Sequence, residues 1–203
     1  MYNNVSEQYR KYIVKIISPF QQSLYLFWGT DLEKEEDDYL LLDLKDKIIA
    51  FLRIQDLLHY VKLPGNILID NLHSKKWALL FKGKMAYKIY DLGRLSTIMK
   101  HWKIIYDIRL DEAMEIIDFC NLFSDYAYQI NSDDLIALYE NKDLNILLDW
   151  VNATYFWKTS DEKYLAELRY RMENLNFLIS KDIIIKMLSL FIDHIIILSY
   201  PKK

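Results

Sequence analysis

The spacing of apolar residues changes character twice along this chain. Val5, Tyr9, Tyr12, Ile13 and Ile16 recur at helical intervals and Pro19 follows, which predicts a first helix over 5–18. The pattern then shortens. "SLYLFWG" (23–29) is apolar and aromatic and stops at a glycine, "YLLLDL" spans 39–44, and "KIIAFL" covers about 48–53. These runs read as three strands of a meander, the last two joined by "KDK". "IQDLLHYVKL" (54–63) places Ile54, Leu57, Leu58 and Val61 on one helical face before Pro64-Gly65, so a short helix is predicted against the sheet. "WALLF" and "AYKIY" flank "KGK" as a hairpin would, although the first run is equally compatible with a helix.

From Leu95 the period is helical throughout. "LSTIMKHWKIIYDI" reads as one helix. Residues 110–130 carry the clearest stripe, with Ala113, Ile116, Ile117, Cys120, Phe123, Ala127 and Ile130 on one side. Ser132 stands where it can cap "DDLIALYE", and "NKDLNILLDWVNATYFW" continues as another helix. Thr159 and Glu162 have capping-box spacing ahead of a long helix, and Ser180 is placed to cap a last apolar helix. Strands early and helices late predict an α+β fold. In it a small antiparallel sheet in the N-terminal half packs on a helical C-terminal half. No Gly/Pro/Ser-rich linker separates the halves, so 1–203 is expected to be a single compact domain, with 1–94 mixed and 95–203 helical.

Composition narrows the class. With 52% hydrophobic residues over 203 positions the chain can bury a large core without staples. Four glycines and three prolines leave little irregular structure. Cys120 is the one cysteine, so no intramolecular disulfide forms, as in a reducing compartment. The N-terminus lacks a basic region followed by an apolar run, which argues against a signal peptide. The most membrane-like stretch, 183–200, is interrupted by Lys186, Asp193 and His194. It is therefore expected to be a buried helix rather than a bilayer span.

Charge is unevenly distributed. Residues 31–46 hold eight acids and two lysines, whereas 75–109 hold nine Lys/Arg and two Asp. The acids concentrate in "GTDLEKEEDDY" (29–39), where six of eleven residues are Asp or Glu. A calcium loop needs a glycine at its sixth position and a glutamate at its twelfth; counted from Asp31 these are Glu36 and Leu42. His59, His73, His101 and His194 show no His-x-x-x-His or Cys-paired spacing, and His194 is expected to be a hydrogen-bonded core histidine. No Gly-rich phosphate loop or Gly-x-Ser-x-Gly elbow occurs. No catalytic residue, metal site or cofactor is therefore predicted. The acidic run is either a solvated turn or a surface for a basic partner. The basic segment, with Trp77, Phe81, Tyr87, Tyr90 and Trp102 interleaved, would suit nucleic acid. The opposing acidic block and negative total charge disfavour that reading.

Three stretches resemble bacterial immunity proteins, the antitoxins of contact-dependent and polymorphic toxin systems. They are "LYLFWGT" with the acidic loop and the following "DYLLLDLKDKIIAFLRIQDLLHYV"; "IIDFCNLFSDYAYQI", with Asn121, Leu122, Phe123 and Asp125 in an Asn-Leu-Phe-x-Asp run; and "TYFWKTSDE". The resemblance covers some 80 residues, discontinuously. It implies a cytoplasmic binder, not an enzyme, that occludes the active site or substrate groove of a cognate toxin. Many such toxins are nucleases with basic grooves, which an acidic surface complements. On that reading Glu33, Glu35, Glu36, Asp37 and Asp38 meet the partner, with Tyr39 as an anchor, and no membrane is involved. Asn121 and Asp125 are expected to be structural. The alternative is a nucleic-acid-associated or regulatory protein acting through 75–109.

Overall fold

A computed structural model describes residues 4–34, 37–64, 66, 68–157 and 161–200. The class is α+β, with strands mostly early and helices mostly late. The chain divides into two compact units, Met1–Leu92 with Ile192–Lys203, and Gly93–Phe191. The change of character lies at 92/93, two residues from the point where the apolar period changes.

The first unit departs from the predicted opening helix. Helix α1 is only Asn4–Tyr9, and Arg10 turns the chain with φ 48°. Strand β1 then runs Lys11–Ile17. The β-branched run Ile13, Val14, Ile16 and Ile17 favours extended backbone, and Tyr12, Ile13 and Val14 are consecutively buried, which a one-faced helix cannot achieve. Strand β2 (Ser23–Thr30) pairs antiparallel with β1, from Lys11 opposite Gly29 to Ile17 opposite Ser23. Strands β3 (Asp38–Leu40) and β4 (Ile48–Phe51) form where strands are predicted, but both pair antiparallel with β2, so the order is not the simple meander: the long β2 takes β3 along Trp28–Thr30 and β4 along Tyr25–Leu26.

Helix α2 (Ile54–Lys62) follows as predicted. The ambiguous stretch after it resolves into a helix and a strand rather than a hairpin. Helix α3 is Asn71–Leu80, and strand β5 (Lys88–Asp91) lies parallel to β1. The last strand, β6 (Ile195–Leu198), pairs parallel with β4, so residues 183–200 are not one helix. Three consecutive isoleucines pair with the free edge of β4, starting where the Ile48 N–H donates to the His194 carbonyl at 2.8 Å. The sheet order is β5-β1-β2-β4-β6, with β3 also on β2. It is thus mixed, with two parallel pairs that no short-range pattern could reveal.

The core of this unit gathers Ile13, Phe27, Tyr39, Leu41, Ile49, Phe51, Leu57 and Trp77. Trp77 is fully buried, edge-on to Phe27 at 5.3 Å between centroids. Its indole N–H donates to Ser6 Oγ at 3.1 Å, which satisfies the buried donor.

The second unit is helical: α4 (Leu92–His101), a 3-10 turn at Ile105–Asp107, α5 (Leu110–Gln129), α6 (Asp133–Tyr139), α7 (Lys142–Tyr155), α8 (Glu162–Glu173) and α9 (Phe177–Asp193). The predicted stripe of α5 buries Ala113, Ile116, Cys120, Phe123 and Ala127. Phe119 and Tyr126 on the same helix meet Phe191 edge-to-face. The caps differ from expectation. Asn141 caps α7 by accepting from the N–H groups of Asp143 and Leu144. Ser132 stands at the start of α6 without a side-chain capping bond. Asp161 caps α8, and Thr159 lies outside the described residues. Ser180 is buried within α9, one turn past its start. Among the described residues no helix is long and apolar enough to cross a membrane.

Candidate functional site

The acidic turn leaves β2 at Thr30 and returns to β3 at Asp38, and both ends are tied down. The Asp31 N–H donates to the Asp37 carbonyl at 2.8 Å, and Thr30 Oγ1 donates to Asp38 Oδ1 at 2.6 Å. The Asp31 carboxylate, itself buried, accepts from the Glu33 N–H at 2.9 Å. Glu33, Lys34 and Asp37 are exposed, Asp38 is half-buried, and Glu35 and Glu36 lie outside the described residues.

Tyr39 is not an anchor for a partner. It is 3% exposed in the core, where its hydroxyl donates to the Ile69 carbonyl at 2.8 Å and lies 3.0 Å from Ser74 Oγ. Burial pushes its phenol well above the ordinary range. The alternation of β3 turns Tyr39 inward, and the adjacent acids gave no sign of which face that would be.

Beneath the turn lies a group that charge counting along the sequence did not single out. Lys11, at the start of β1, and Asp70, just before α3, form an ion pair of 2.7 Å with both side chains at 0% exposure. The Lys11 ammonium also donates to the Tyr9 and Thr30 carbonyls, so each of its three protons has an acceptor. Asp70 Oδ2 takes the Leu32 N–H as well, at 3.2 Å, and Oδ1 lies 2.6 Å from Nδ1 of the half-exposed His73. Burial alone would raise the Asp70 carboxyl. The hydrogen bonds from Lys11, His73 and Leu32 outweigh it and hold the carboxyl below its ordinary value. Burial lowers the Lys11 ammonium, and Asp70 opposes that shift.

Local sequence permits this arrangement. Gly29 faces Lys11 across the hairpin, and a Cβ there would come 2.6 Å from Lys11 Cδ. Asp70 stands at the N-cap position but makes no capping bond. Its backbone is left-handed, with φ 48° and ψ 53°, a conformation Asp adopts more readily than most residues. The carboxylate is thereby turned toward Lys11 and Leu32.

Donor atoms of Glu33, Asp70 and His73 lie within 4.8 Å of one another; Asp70 and His73 are only three residues apart, but Glu33 comes from the acidic turn 37 residues earlier, so a local spacing search does not find the grouping. Carboxylate and imidazole suit first-row divalent ions. Here the Lys11 ammonium already neutralises Asp70, and an ion at this carboxylate would sit beside a buried positive charge. The arrangement balances its own charges and acts as a tether for the turn.

The basic segment is divided in its roles. Trp77 and Trp102 are buried, so neither offers a face for stacking. Arg94 pairs with Asp111 and Glu115. Lys76, Lys82 and Lys84 are exposed, as is Tyr87. Asn121 is exposed on α5 and Asp125 half-buried. His194 is half-buried at the turn into β6.

No family model matches this sequence, and no curated protein matches it. Among solved structures, the chain is similar to the C-terminal domain of SatS, determined in complex with bromine. That likeness has a TM-score of 0.60 and 12% identity over 95% of this chain and 96% of that one. It extends to the fold.

Proposed function

We propose that the protein is a toxin-neutralising immunity protein, a non-enzymatic binder that covers the active site or substrate groove of a cognate bacterial toxin domain. The observation that carries this reading is the acidic turn with a fixed base: exposed Glu33 and Asp37 stand on a loop whose two ends are tied to the buried Lys11–Asp70 pair and to Thr30. A solvated turn of no consequence does not need such a tether, whereas an electronegative prong gains from being held in one shape before contact. A nuclease groove, basic because it holds phosphates, is the complementary surface. The resemblance of "LYLFWGT" and "DYLLLDL" to immunity proteins supports the same reading, which places its action in the cytoplasm of the producing cell.

The test is co-expression with the toxin encoded by the adjacent reading frame. Protection of the cells and a stable complex are expected. Reversal of Glu33, Glu35, Glu36 and Asp37 to lysine is expected to abolish both. Failure to bind and to protect would overturn the reading. Binding of the purified protein to single-stranded RNA or DNA, weakening steeply with salt, would favour the 75–109 segment instead.

A further inference from the structure

Asp70 does more than neutralise Lys11. One oxygen, Oδ2, accepts both from the Lys11 ammonium at 2.7 Å and from the Leu32 N–H at 3.2 Å. Leu32 is the second residue of the acidic turn, immediately before the exposed Glu33. Lys11 in turn holds the Thr30 carbonyl at the last residue of β2. Two consecutive points of the turn's entry are thus gripped by one buried pair, on either side of Asp31. Oδ1 is taken up by His73 on α3, so the carboxylate has little freedom to rotate away.

From this geometry we infer that Asp70 is the positioning residue of the acidic turn: through the Leu32 amide it fixes the path on which Glu33 and Asp37 are presented. The inference rests on the functional reading above for its purpose, but the positioning itself is a property of the free protein. The charge of the turn sets which partners are attracted, and Asp70 sets whether the attracting groups are held in one arrangement. A buried acid that touches no partner therefore governs affinity by limiting the conformations that binding must freeze out.

Two double variants separate this role from simple structural support. Lys11→Met with Asp70→Leu removes the pair and the acceptor for the Leu32 N–H. Lys11→Met with Asp70→Asn removes the same two charges but keeps an amide oxygen able to accept from Leu32. Both leave the net charge of the protein and every charge of the turn unchanged, so a difference between them reports the Leu32 bond.

The readouts are amide hydrogen exchange at Leu32, followed by NMR, and affinity for a deca-arginine peptide by fluorescence anisotropy at low salt. The wild type and the K11M/D70N variant are expected to protect the Leu32 amide. The K11M/D70L variant is expected to lose that protection and to bind the peptide roughly threefold or more weakly. Unchanged Leu32 protection in K11M/D70L overturns the inference, and so does lost protection with unchanged peptide affinity. If K11M/D70L does not fold, the wild type decides: a Leu32 amide exchanging at the rate of an unstructured peptide overturns the inference, and a protected one supports it. A wild type that protects Leu32 but binds neither the peptide nor a toxin would instead overturn the functional reading.

Discussion

Lys11 and Asp70, 59 residues apart in sequence, meet at 2.7 Å with neither side chain exposed to solvent. Replacing either one alone leaves an uncompensated charge in the interior, which typically costs about 3–5 kcal/mol, whereas removing both together often costs far less. Asp70→Ala is accordingly expected to destabilise the first unit severely, and the K11M/D70N double variant much less. Urea denaturation of the three proteins measures the difference. Equal losses in single and double variants would contradict it.

Acid should act through the same carboxylate. Asp70 titrates below its ordinary value in the folded protein, so the folded state binds fewer protons than the unfolded state in the window between the two values. The stability this contributes is fully present above the unfolded value. It is lost as pH falls through the folded one. Stability measured downward from pH 5 is expected to fall more steeply in the wild type than in K11M/D70N.

Gly29→Ala tests the space that Lys11 needs. The new methyl group would lie 2.6 Å from Lys11 Cδ, and Lys11 cannot easily yield because all three of its ammonium protons are engaged. A loss of about 1–3 kcal/mol is expected, in the range of other overpacked sites. The Leu32 amide should exchange faster as well. Thermal melting and hydrogen exchange check the two effects independently.

Trp77 anchors the core of the first unit by its size and by its bond to Ser6. Trp77→Ala should cost about 3–5 kcal/mol, and Trp77→Phe less because most of the apolar volume remains. Ser6→Ala should leave the buried indole N–H without its acceptor and cost about 1–3 kcal/mol. Denaturant titration of the three variants is the measurement.

Cys120 is fully buried on α5, and burial pushes its thiol up to about 12. The thiolate is therefore scarce at neutral pH, and the sulfur is out of reach. A chromogenic disulfide reagent is expected to leave the native protein unmodified and to titrate one thiol per chain in denaturant. Rapid reaction of the native protein would contradict this packing.

Elements whose partners lie close in sequence were legible from pattern alone. The positions of strands β2, β3 and β4, helix α2 and the stripe of α5 follow from local period and turn residues, because these features depend on neighbours only a few positions away. The opening helix failed as a prediction because Val5, Tyr9 and Ile13 satisfy a helical period while Ile13 to Ile17 equally satisfy a strand. Short apolar runs leave that choice to whatever they pack against. The final helix failed for a related reason. Ile195 to Leu198 became a strand because the edge of β4 was available, and β4 is over 140 residues earlier.

The acidic turn shows the same division. Its charge was plain from the sequence, since composition needs no fold. That Tyr39 faces inward, that Asp31 is buried, and that Lys11, Asp70 and His73 converge beneath the turn were decided only by tertiary structure. Nothing local distinguishes Lys11 from Lys15 four residues on. Only when β1 pairs with β2 across Gly29, and Asp70 turns its carboxylate inward, does one lysine become a buried counter-ion while the other stays on β1 without that role. Long-range charge pairing is set by three-dimensional proximity in a low-dielectric interior, and a linear sequence carries no record of that distance.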